Sequence, residues 1–334
     1  MKMNKQPAQS LEPKDNAILI TLLIIASIWM LFGAGVTIAK TSFFPYAFGV
    51  HEGEIMNSTQ LLLQGKPLYG PISVENVPTA YFPLFFVTLA AWLKMTVNTI
   101  VSARIFQLVL YFATAGLLYR YVSRQSGRTI YGLLAAVLWL GIYAQYDTPI
   151  FCFMLQVDNL LTLLVLAGTI YLSLGHGVKH LMGSAICFTA AALTKQNMLP
   201  LALVPVGLAF LVLPARQRFW VCLPLVIGVI GAMLLNQLSD GWFFTWTVSV
   251  AHHPFRLEEW AQVLTREVLG RTAPLIFLTL LWAIVEWPRI WKTPEASAPF
   301  LVLGFLAVIG YVGSLKLGGG PNHLYPYYAV MFAL

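Results

Sequence analysis

The chain has 334 residues, of which 58% are hydrophobic and only 10% charged, with a formal net charge of +7 and a mean hydropathy of +0.75. That is more apolar surface than one soluble core can bury, so the solvent is lipid and a soluble globular fold is excluded. A hydrocarbon layer roughly 30 Å thick offers no partners to free N–H and C=O groups. Helices of about 20 residues are therefore the spanning elements, and the fold class is all-α, a polytopic transmembrane helical protein.

The first apolar run, 17–39, follows Lys2, Lys5 and Lys14 and is too long for a signal-peptide core, so it reads as an uncleaved signal anchor. The run 81–93 is short, has a proline near its start and ends at Lys94. Further runs at 105–119, 129–146, 159–174, 181–193, 198–213, 219–237, 273–287 and 298–315 read as spans. The final residues, 325–334, are apolar but too few to cross. They read as the start of another span, giving about ten spans and an expected continuation beyond the C-terminus.

Charge decides what the run at 81–93 does. If it crossed, the connection holding Arg120, Arg124 and Arg128 and the turn holding Arg216 and Arg218 would face outward, against the positive-inside tendency. If it lies in the interface, the inner side collects eleven basic residues against four acidic ones, and the outer side nine of each. The whole excess charge then sits inside, with the N-terminus cytoplasmic. This arrangement leaves one membrane domain over 1–334 with two long outer loops, 40–102 (carrying juxtamembrane helices) and 239–271. Long loops on a short-looped scaffold are where function concentrates. Topology accounts for the basic balance, so no nucleic-acid partner is implied. Cys152, Cys187 and Cys222 are isolated in apolar runs, with no paired-cysteine pattern.

Ionisable residues converge on the outer ends of the spans. A carboxylate just after the first span, Glu52 first and Glu54 second, suits a general base that takes the proton of an attacking hydroxyl or amine. A phosphate leaving group requires cations in a partly dry site, which points to Lys195 and then Arg256. Asp158, with His252, His253 or His323, suits the binding of a divalent ion or the orientation of the base. Each has a plain structural counterpart. The glutamates read equally as solvated loop charges, Asp158 as a helix cap, Lys195 as a snorkelling anchor and the histidines as turn residues.

The order of these features resembles the GT-C superfamily of membrane glycosyltransferases, in particular prokaryotic relatives of the protein O-mannosyltransferases and lipid A aminoarabinose transferases. The resemblance rests on H51-E-G-E after the first span, L-L-x-G-K-P-L-Y to Tyr69, Y-F-P-L from Tyr81 and A-R-I at Arg104. It continues with V-D-N at Asp158, T-K-Q-N from Thr194 and P-N-H-L-Y-P-Y before the last span. It implies a polyprenyl-phosphate sugar donor, an outward-facing site in a bacterial inner membrane, inversion at the sugar, and a lipid, glycan or protein acceptor. His51 stands where many relatives have aspartate. A transporter or lipid flippase and a non-catalytic homologue are the alternatives, but no internal repeat or mid-membrane charge cluster of the transporter kind is visible.

Overall fold

The computed structural model describes residues 13–73, 77, 79–142, 154–251, 294–316 and 321–333, with scattered positions between 254 and 288. The elements are helices throughout: α1 Pro13–Thr41, α2 Val50–Leu63, α3 Leu84–Met95, α4 Ile100–Ser126, α5 Thr129–Ile142, α6 Asp158–Ser173, α7 Val178–Thr194, α8 Leu199–Val212, α9 Ala215–Leu238, α10 Pro294–Ser314 and α11 Tyr325–Ala333. Among the described residues the sole β-type pairing is an isolated bridge between Phe255 and Lys316. Described positions between 273 and 288 are helical, in keeping with the span expected there.

Several helices outrun the apolar segments that announce them. Helix α4 extends past the expected 105–119 through Arg120 and Arg124, because long basic side chains let a helix continue beyond the hydrocarbon edge while their heads reach water. It starts where the Thr99 hydroxyl accepts the Ser102 N–H at 3.2 Å and stops at Gly127, whose φ of 67° lies in the left-handed region that favours glycine. Hydroxyls within the spans are satisfied locally. Thr114, Thr162 and Thr169 each donate to the carbonyl four residues earlier, at 2.9, 2.7 and 2.8 Å.

At 14 and 12 residues, helices α2 and α3 are about 21 and 18 Å long. Both ends of α3 also lie at the same end of the bundle. Tyr81, just before it, lies beside Lys195 at the end of α7, while Trp92 near its far end donates to the Ser102 carbonyl at the start of α4. Helix α3 therefore runs alongside one end of the bundle.

Two apolar clusters hold the structure together. One fills the bundle around Tyr111, Trp139, Leu166 and Phe188; the other lies beneath the first loop around Tyr69, Phe85, Phe86 and Phe243. Helices α4 and α5 are joined through reciprocal bonds, with Trp139 Nε1 donating to the Tyr111 carbonyl at 3.1 Å and the Tyr111 hydroxyl donating to the Leu140 carbonyl at 2.6 Å. Outside the clusters, α9 presents Phe219, Ile227, Ile230 and Met233 to its surroundings, an apolar face suited to lipid.

Small residues bring the spans close, as expected where lipid supplies no hydrophobic drive between helices. A Cβ at Gly132 would collide with Ser123 Oγ and the Tyr119 carbonyl across the α4–α5 contact. Gly132→Leu is therefore expected to cost about 1–3 kcal/mol or more, read as a lower melting temperature of the purified protein in detergent. An unchanged melting temperature would contradict this packing.

Candidate functional site

At one end of the bundle, Glu52 on α2 and Arg104 on α4 form a fully buried ion pair. Arg104 Nε donates to Glu52 Oε1 at 2.9 Å and Nη2 to Oε2 at 2.6 Å. The remaining guanidinium donors go to the carbonyls of Thr41, Phe44 and Tyr46, so all five N–H groups are used. Glu52 is equally saturated, since Oε2 also accepts the Phe48 N–H and Oε1 the Leu155 N–H, each at 2.8 Å. The Phe48 ring stacks on the guanidinium at 4.4 Å. The end of α1, the turn after it, α2, α4 and the approach to α6 are thereby fixed to one another.

A second buried pair lies in the same region. Lys195 Nζ, just past the end of α7, donates to Asp158 Oδ1 at 2.8 Å at the start of α6. The ammonium also lies 5.7 Å from the centre of the Tyr81 ring. Burial, with the carboxylates of Asp158 and then Glu54 nearby, raises the Tyr81 phenol well above its ordinary range. Glu54 thus lies near Tyr81, whose ring borders Lys195. Its side chain is 19% exposed and lies 3.9 Å from His51, which is 63% exposed.

The two long loops meet here. Gln196 Nε2 donates both to the Ala80 carbonyl at 3.0 Å and to the Thr247 carbonyl at 2.8 Å, while Trp246 Nε1 donates to the Gly70 carbonyl at 2.8 Å. Phe243 packs between Tyr69 and Phe82. His323, in the turn before α11, feels the charges of both Lys195 and Asp158. Burial first, then Lys195, lowers its imidazole to about 3.

The structure therefore brings together Glu52, Glu54, Asp158, Lys195 and His323. Arg256, His252 and His253 lie outside the described residues. Among the described residues no three His, Cys, Asp or Glu side chains gather to hold a metal, and Asp158 is engaged by Lys195. Sequence reasoning assigned no task to Arg104, although an arginine at the start of an apolar run is a visible demand for a buried partner. Nor did it assign one to Gln196, whose bridging contacts depend on two distant loops.

Two crystal structures of ArnT from Cupriavidus metallidurans are similar to this chain at 16% identity. One is bound to undecaprenyl phosphate, with a TM-score of 0.58 over 94% of this chain, and one is in the apo state, at 0.50 over 96%. The chain has the GT-C fold. It spans 59% of the length of each of these proteins. No family model and no curated protein matches the sequence.

Within this GT-C fold the two ion pairs have different expected sensitivities. Breaking a saturated buried pair leaves an uncompensated charge, so Glu52→Gln and Arg104→Met are each expected to cost about 3–5 kcal/mol of stability. The Glu52→Leu/Arg104→Met double variant is expected to recover part of that loss, measured by melting in detergent. For His323 the folded value lies below the ordinary 6.5. The unfolded chain then takes up a proton that the folded one refuses, so stability is full above that ordinary value and declines as pH falls toward about 3. His323→Gln is expected to flatten this slope in melting curves between about pH 7 and pH 4.

Proposed function

We propose that this protein is a glycosyltransferase that moves a sugar from a polyprenyl-phosphate donor to a lipid, glycan or protein acceptor at the outer face of a bacterial inner membrane. The observation that carries the reading is an apolar groove of about 950 Å³ that leads to the ion-paired end of the bundle. It is walled by α7 and α9, with Pro83 and Leu84 of the α3 entrance and Phe243 among its lining residues. Ile186, Trp220, Ile227 and Leu234 line it and are half or more exposed, so the groove is continuous with the lipid-facing surface. Leu193 lines it two residues before Lys195. A chain of isoprene units suits such walls, with its phosphate delivered toward the lysine.

In this proposal the acceptor hydroxyl or amine attacks the anomeric carbon and loses its proton to Glu54. The bond from that carbon to the phosphate oxygen breaks with inversion, and polyprenyl phosphate leaves with the electron pair. Lys195 stabilises the departing charge. Only one of its three N–H donors goes to Asp158, which holds the ammonium in place, and a positioned cation in a partly dry site acts strongly. Arg256 is proposed as a second cation, with His252, His253 and His323 in supporting roles. Glu54 takes the base role because all four acceptor positions of Glu52 are occupied by Arg104, Phe48 and Leu155. The inner-side N-terminus follows from the basic connections.

With a panel of polyprenyl-phosphate sugars and membrane acceptor extract, the purified protein in lipid is expected to consume donor. Glu54→Gln is expected to lower kcat by about 10²–10⁴-fold without changing donor affinity, and Lys195→Ala to weaken donor binding. A Glu54→Gln variant turning over at the wild-type rate would remove Glu54 from the mechanism.

A further inference from the structure

Asp158 opens α6, yet Val157 at the N-cap position makes no side-chain capping bond, and Asp158 Oδ1 accepts from Lys195 instead. A helix start without a local cap needs partners from elsewhere. Helix α4 supplies them through Gln107, three residues past Arg104 and so on the same face. Gln107 Nε2 donates to the Gln156 carbonyl at 2.8 Å, and Gln107 Oε1 accepts from Asn159 Nδ2 at 2.8 Å. The two contacts bracket Asp158, one two residues before it and the other directly after it. Gln107 and Asn159 are both buried.

The direction of this clamp is determined by the backbone. A carbonyl oxygen can only accept, so the Gln156 carbonyl turns the Gln107 amide nitrogen toward itself and leaves the amide oxygen to Asn159. Asn159 must then present its own nitrogen. An apolar side chain at 107 would deprive a buried carbonyl and a buried amide of these partners, which favours a shift of the α6 start. The Lys195–Asp158 contact tolerates little of that. From 2.8 Å, a displacement of about 1 Å carries it beyond hydrogen-bonding range. Glu52 holds the same segment through the Leu155 N–H, so the α6 start is tied at one point to the saturated pair and at two to Gln107. The Gln107 contacts lie nearer Asp158.

We propose that Gln107 is a positioning residue for the donor phosphate: it sets the start of α6 so that Asp158 holds the Lys195 ammonium where the phosphate binds. Gln107 touches neither donor nor acceptor and acts only through Asp158 and Lys195. The inference rests on the transferase reading above and adds to it the residue that aligns the cation. A bond that merely held α4 against α6 would support the fold without favouring phosphate over another end group.

The test measures binding of two lipids to the full chain in vesicles, polyprenyl phosphate and the polyprenol that lacks the phosphate. Wild-type protein is expected to prefer the phosphate by at least about tenfold, and Lys195→Ala to lose that preference. Gln107→Met, which nearly keeps the volume and removes both bonds, is expected to lower the preference by about tenfold with polyprenol affinity unchanged. Asn159→Leu removes the second bond from the other side and is expected to act in the same direction. In the Lys195→Ala background, Gln107→Met is expected to change the preference no further, because both act on one interaction. Full preference in folded Gln107→Met, equal weakening of both lipids, or an undiminished effect in the Lys195→Ala background would overturn the positioning role. Failure of both Gln107→Met and Asn159→Leu to fold would also overturn it, by making the clamp a bond of the fold alone. In each of those cases a wild-type preference that Lys195→Ala removes leaves the donor reading standing. No preference in the wild-type protein would overturn both.

Discussion

The buried Glu52–Arg104 pair is the constraint on which the functional end of the molecule depends. Removing a carboxylate and a guanidinium from water is costly, and the cost is offset only where every donor and acceptor finds a partner. Here five N–H groups and four acceptor positions are all satisfied, by atoms drawn from the end of α1, the turn behind it, α2, α4 and the approach to α6. No other described contact ties so many segments together. The first loop is consequently held on the bundle as a fixed layer, with α3 laid across the helix ends.

This rigidity gives the second ion pair its setting. Asp158 sits at the start of α6, three residues after Leu155, whose N–H is bound by Glu52. The first pair therefore places the second. The two differ in completeness: Glu52 and Arg104 have no capacity left, whereas Lys195 has N–H donors beyond the one given to Asp158. Saturation suits a structural anchor. A site that must bind and release a ligand needs partners still to be supplied, and the loop contacts through Gln196 and Trp246 close the second loop over that place.

Much of the fold was legible because the bilayer imposes length and polarity on the sequence directly. The runs at 159–174 and 219–237 became α6 and α9 with shifts of only a few residues. Spaced motifs gave the GT-C resemblance that the fold bears out. The site was legible as a set of residues but not as a division of labour. H51-E-G-E announces two carboxylates, and which of them is free depends on Arg104, 52 residues along the chain from Glu52. The same holds for Lys195 and Asp158. Each is visible as a charge at a span end, and only the crossing of α6 and α7 makes them a pair.

The central claim is that a lipid-linked sugar is transferred at one face of the membrane, the face carrying the two long loops. It is tested most directly in vesicles of uniform protein orientation, with a polyprenyl-phosphate hexose confined to one leaflet and acceptor extract on the same side. Sugar transfer is expected when donor and acceptor share the loop side, with no transfer when both are on the opposite side and no need for an ion gradient. Transfer from the opposite side, or movement of intact donor between leaflets with no sugar released to acceptor, would contradict the account.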